Sequence, residues 1–126
     1  MNSIKRICRD LGIPEGDKFT QDWAYELPEE FRTDKWLSKY TLAYSNDDYS
    51  ESEQDLLMQL ILDVTNDCLN MGVSANDEVI INALSLLSGN HQRYSELIEY
   101  WAQDGEPLED CFALTEKIRE IRNNIR

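Results

Sequence analysis

The chain is short of positive charge. Across 126 residues, 12 Lys and Arg face 25 Asp and Glu, which leaves a net charge of −13. The deficit is local: between residues 46 and 111, Arg93 is the one basic residue against fifteen acids. A surface of that sign repels phosphate backbones and anionic lipid headgroups, so direct binding of nucleic acid or of a membrane is disfavoured. Soft metal ligands are scarce as well. Cys8, Cys68 and Cys111 are far apart, no CxxC occurs, and His91 is the only histidine, which is too few ligands for a structural zinc site. Three unpaired thiols suit a reducing compartment, so a cytoplasmic protein with cysteines in or near its core is expected. The longest apolar run, LLMQLILDV, is interrupted by Gln59 and Asp63 and is too short to span a bilayer. The leading NSIKRICRDLG is basic and lacks a long apolar segment, so secretion is not expected.

Catalytic signatures are missing too. There is no glycine-rich phosphate loop and no serine in a nucleophile-elbow context. His91 has acids near it in sequence, Glu96 and Asp104, but a lone histidine at a helix start reads as a partly exposed structural residue. Asn46, Asp47, Asp48, Ser50 and Glu51 could offer oxygens to calcium. A twelve-residue calcium loop needs glycine sixth and glutamate twelfth, and counting from Asp47 those places hold Ser52 and Met58. The expectation is a non-enzyme with no cofactor and no metal.

What is present is helical periodicity. Ile4, Ile7, Cys8 and Leu11 predict a short amphipathic helix capped at Asn2 or Ser3 and stopped at Gly12. Residues 12–32 are irregular, with Trp23, Tyr25, Leu27 and Phe31 expected to pin them to the core. A helix from Thr33 should draw its apolar side from Trp36, Leu37, Tyr40 and the Leu42–Tyr44 segment. Ser50-Glu51-Ser52-Glu53 is a capping box, opening a helix to about Met71 that ends at Gly72 and is apolar on most sides. Ser74 or Asn76 should cap a helix to Gly89, Asn90 one to Gly105, and Pro107 should start a last helix running to the C-terminus. With no strict alternation for strands, the fold expected is all-α: one domain, 1–126, a bundle of five or six helices with mostly antiparallel neighbours. Residues 1–45 form its less regular part, packed on a helical core at 50–125.

The acids fall into two groups. Asp47, Asp48, Glu51, Glu53 and Asp55 precede and open the central helix, beside Tyr44 and Tyr49. Asp104, Glu106, Glu109 and Asp110 surround the later turn, beside Tyr100. Simple up-and-down alternation puts these groups at opposite ends. Some of this acidity is ordinary helix-start chemistry, since anions are favoured at the positive end of the helix dipole. The rest, set among tyrosines expected to be exposed, reads as an interface for a basic partner. The residues assigned to it are Tyr44, Asp47, Asp48, Tyr49, Glu51, Asp55, Tyr100, Asp104, Glu106, Glu109 and Asp110.

A small, acidic, helical module without catalytic groups resembles the immunity proteins that bacteria make against nuclease toxins, of the bacteriocin and contact-dependent growth inhibition types. The likeness lies in size, charge and helical reading rather than in a motif, so it transfers no residue role. It implies tight binding of a cognate basic toxin, either covering its active site or blocking its activation. Two other functions are compatible with the residues: a phage-type acidic mimic of nucleic acid, and a small regulatory or adaptor domain using an apolar groove around Trp23, Trp36 and Trp101. Salt separates them. Charge-steered association slows as the screening length shrinks from about 14 to about 4 Å between roughly 50 and 500 mM salt, whereas apolar docking barely changes.

Overall fold

The computed structural model describes residues 3–125, and among these it is built of helices without strands. Helix α1, Ser3–Leu11, buries Ile7 and Cys8, and its chain reverses at Gly12, whose φ of 71° only glycine adopts freely. The amides of Gly12 and Ile13 both bond the Cys8 carbonyl, which carries Ile13 back into the core. Asn2, the alternative cap, lies outside the described residues. The irregular segment contains one turn of helix, α2, Trp23–Glu26, capped by Asp22, and a 3-10 turn at Glu29–Phe31. Trp23 and Leu27 are buried and Phe31 half-buried, but Tyr25 is 68% exposed. Two residues on from Trp23, it points to the far side of the same turn.

Thr33 caps α3, Asp34–Tyr44, as expected. Leu37, Tyr40 and Tyr44 recur on its inner face, and Leu42 is left 78% exposed, contrary to the sequence expectation. Helix α4, Glu51–Asn70, carries the predicted capping box intact: Ser50 Oγ accepts from the Glu53 amide at 3.2 Å, and Glu53 Oε1 accepts from the Ser50 amide at 2.8 Å. Its far end closes in a Schellman motif, with Val73 N bonded to the Cys68 carbonyl and Gly72 N to that of Leu69. Replacing Ser50 with alanine should cost about 1 kcal/mol in a urea titration, since one amide loses its partner. No measurable loss would mean that the cap does not hold this helix end.

Leu57, Met58, Leu60, Ile61, Leu62 and Val64 are all fully buried, so α4 is the central helix. Helix α3 packs most extensively along it, and α1, α2 and α5 also lean on it. Helix α5, Glu78–Gly89, is capped by Asp77 rather than by Ser74 or Asn76. Ser74 Oγ instead closes the preceding turn by accepting from the Asn76 amide.

The C-terminal third departs most from expectation. Asn90 does not start the next helix: its side-chain amide donates to the Leu86 carbonyl and finishes α5. Helix α6 spans Ser95–Ala102 without a side-chain cap. The predicted last helix is broken into a 3-10 turn at Leu108–Asp110 and α7, Thr115–Asn124, which packs against α6. The break lets Leu114 bury completely, with its amide bonded to Asn66 Oδ1 on α4 at 3.0 Å. The described residues therefore hold seven α-helices, not five or six, and every connection between α-helices after α4 is at least five residues long. Buried residues from α1 through α7 form one continuous apolar cluster.

Candidate functional site

The capping loop ahead of α4 is held from below by α1. Arg6 Nη1 donates to the Asp48 carbonyl and to Glu53 Oε1, both at 2.9 Å, and its guanidinium covers the Tyr49 ring at 4.9 Å. Tyr49 donates to Asp10 Oδ2 at 2.9 Å and is 7% exposed; burial, then Asp10, pushes its hydroxyl up to about 12. Glu53 is only 5% exposed, and the Ser50 amide, with Arg6, holds its carboxyl below the usual range. Tyr44 is buried as well, its hydroxyl 2.8 Å from that of Tyr94. Two of the three tyrosines assigned to an exposed interface, Tyr44 and Tyr49, are thus core residues. Their neighbours in sequence are acidic, but their rings turn inward to cover apolar surface.

Arg93, the cation of the middle segment, is spent internally. It reaches Gln54 Oε1 and the Glu51 carbonyl at 2.9 Å, and Asp55 Oδ1 at 2.7 Å. This ties the approach to α6 to the first turns of α4. From there a groove runs between the two helices. Its first stretch is lined by Asp55, Gln59, Arg93, Glu96, Leu97 and Tyr100. Its second shares Gln59, Leu97 and Tyr100 and adds Asp22, Tyr25, Asp63 and Trp101. Asp55, Gln59, Asp63 and Asp67 are spaced four apart, so they form one polar stripe down α4, alongside its buried apolar residues.

At the lower end of that stripe lies Arg32, only 6% exposed. Its Nε donates to Asp67 and its Nη1 to the Ala24 carbonyl, while Asp63 stands 3.7 Å from Nη2. Burial outweighs this attraction and raises the Asp63 carboxyl to about 6; Asp22 and Asp67 push in the same direction.

Tyr100 is exposed, as expected, and stacks on Phe112 with ring centroids 6.1 Å apart. Phe112 also meets Trp101 at 4.9 Å, which brings the 103–114 connection against the end of α6. Asp104 in that connection is chelated by Arg122, at 2.6 and 2.7 Å, and these bonds hold its carboxyl below the usual range. Arg119 binds the carbonyls of Ala102, Gln103 and Glu106. Cations of α7 thus finish α6, which suits the negative end of its dipole. Glu106, Glu109 and Asp110 are exposed.

Of the assigned carboxylates, Asp55 and Asp104 are therefore paired within the molecule, while Asp47, Asp48, Glu51, Glu106, Glu109 and Asp110 make no ion pair among the described residues. Glu51 contacts Arg93 near the start of α4, so the first acidic group adjoins the upper stretch of the groove, while the second follows the end of α6, with Asp104 held by Arg122. Sequence reading missed Asp22, Tyr25 and Asp63 on its lower wall. The alternative of an apolar groove around three tryptophans finds Trp23 and Trp101 buried and Trp36 packed between Phe31 and Tyr40. His91 lies in the turn before α6, with Nδ1 2.9 Å from the Ser88 carbonyl. No described helix is long and apolar enough to cross a membrane, and no three His, Cys, Asp or Glu among the described residues are grouped to hold a metal ion. No family model, curated protein or solved structure matches this chain.

Proposed function

We propose that this chain is an acidic immunity protein that binds a cognate basic toxin, a nuclease, and neutralises it by direct contact. One observation carries the reading. Of 25 side-chain carboxylates, only Asp10, Glu53, Asp55, Asp63, Asp67, Glu99, Asp104 and Glu120 have a cationic partner among the described residues. The paired ones are mostly those that fasten helices together. The unpaired ones remain on the surface, and two of them, Asp22 and Glu96, line a groove that also carries exposed Tyr25 and Tyr100. Like charges left in this way oppose folding, so their retention favours a use outside the molecule. A nuclease must carry positive surface to hold its substrate, and is for that reason the partner such a field captures fastest.

The test is to capture partners on immobilised protein, wild type beside a triple variant Asp47→Asn, Asp48→Asn, Glu51→Gln that leaves the Ser50–Glu53 cap intact. The wild type should retain a basic protein with nuclease activity, and equimolar addition of the free protein should abolish that activity. The variant should bind it at least tenfold more weakly at low salt, with the loss mostly in association rate. A captured partner that is acidic, or whose nuclease activity survives saturation, would overturn the reading.

A further inference from the structure

The lower part of the groove is a pocket of about 230 Å³ with an unusual composition. Tyr25 and Tyr100, 68% and 58% exposed, stand on its rim, Trp101 is on one side, and Asp22 and Asp63 supply carboxylates. We propose that this pocket takes an arginine side chain of the basic partner; the inference rests on the reading of that partner as basic and names where its anchor enters.

The size decides first. A volume of this order falls below the range of about 300–1,000 Å³ usual for metabolite sites, and suits a single side chain. The charge decides next. Arg32 is the cation beside Asp63, yet it stands 3.7 Å away and is shared with Asp67 and the Ala24 carbonyl. Asp22 makes no ion pair and uses one oxygen to cap α2, accepting from the Tyr25 amide at 3.3 Å. Two carboxylates thus meet in a concave, partly desolvated site with less than one cation between them, and a second positive charge would relieve both. Burial first, and then the neighbouring Asp22 and Asp67 charges, raise the proton affinity of Asp63.

The walls choose between cations. A guanidinium is flat, sheds water more readily than an ammonium, stacks on aromatic faces and bonds carboxylates with two parallel N–H groups. Tyr25 and Tyr100 offer aromatic rings, Asp22 and Asp63 the acceptors, and Gln59 a further polar side chain. Lysine would gain the charge alone. A metal ion would find only two carboxylates.

The experiment needs no toxin. An acetylated, amidated Gly-Arg-Arg-Gly peptide is titrated into isotope-labelled protein at about 0.15 M salt, beside the same peptide with lysine and with uncharged citrulline. The arginine peptide should shift the Trp101 indole and Leu97 amide resonances and bind at least fivefold tighter than the lysine peptide, with citrulline inert. Tyr100→Ala, which removes an exposed ring, and Asp63→Asn should each weaken it at least fivefold, while Asp47→Asn should change it less than twofold. Binding should also fade as pH falls through about 6, where Asp63 takes up its proton; Asp22, Asp67, Arg32, Tyr25 and Tyr100 are the other ionisable groups facing it. Equal shifts with citrulline, or arginine binding spread over the acidic surface and indifferent to Tyr100→Ala, would overturn the pocket. That failure would leave nuclease neutralisation standing, whereas a bound peptide alongside a partner without nuclease activity would do the reverse.

Discussion

Replacing Arg32 with methionine should cost the fold about 3–5 kcal/mol, because it strands a desolvated carboxylate without its cation. Arg32 is buried between Asp63 and Asp67 of α4 and the Ala24 carbonyl of α2, and it makes the polar attachment of the segment at 22–32 to the central helix. Methionine fills similar volume, so the loss isolates charge and hydrogen bonding rather than packing. The pH dependence identifies the cause. Asp63 binds its proton more tightly in the folded protein, at about 6, than the ordinary value of 3.8. Between those values folding takes up a proton, so this group's contribution to stability falls as pH rises through that window. Without Arg32 the upper edge moves higher still. Urea titrations should show the Arg32→Met defect largest near pH 8 and clearly smaller near pH 5. A defect of the same size at both would trace the loss to packing and exclude the stranded carboxylate.

Leu62→Ala should cost about 2–5 kcal/mol, as much as Ile61→Ala, although the two side chains leave α4 about 100° apart. On a helix with one buried face, such neighbours would differ sharply. Here both are fully buried, because α1, α2, α3 and α5 all pack on α4. Ile81→Ala, at a side chain 48% exposed on α5, is the reference and should cost well under 1 kcal/mol. A Leu62→Ala effect as small as that of Ile81→Ala would mean that α4 has an open side.

The elements that sequence periodicity located best are those with their own punctuation. Ser50, Glu53 and Gly72 bracket α4 in sequence as in space, Thr33 opens α3, and Gly12 ends α1. Where the next helix is fixed by long-range contacts, local signals misled. Asn90 looks like an N-terminal cap but finishes the helix behind it, and the break before α7 depends on Asn66, 48 residues away. The site was half legible for a similar reason. Charge is visible in a sequence, but the direction a tyrosine faces is not: Tyr44 and Tyr49 turn inward, while Tyr25, read as core, turns outward. The one signal available for the groove was the spacing of Asp55, Gln59, Asp63 and Asp67, a polar stripe along the central helix. Its partners, Arg32 and Arg93, come from distant parts of the chain.

That stripe ties recognition to folding. The helix a visitor would touch in the groove is the same helix that every early element of the chain leans on, so its surface cannot drift freely. If the groove receives a partner as proposed, changes that retarget it are expected at the margins, at positions such as 22, 25, 47, 48, 96 and 100, while the centre stays fixed. A lineage of such proteins would diverge as a constant spine with a changing rim.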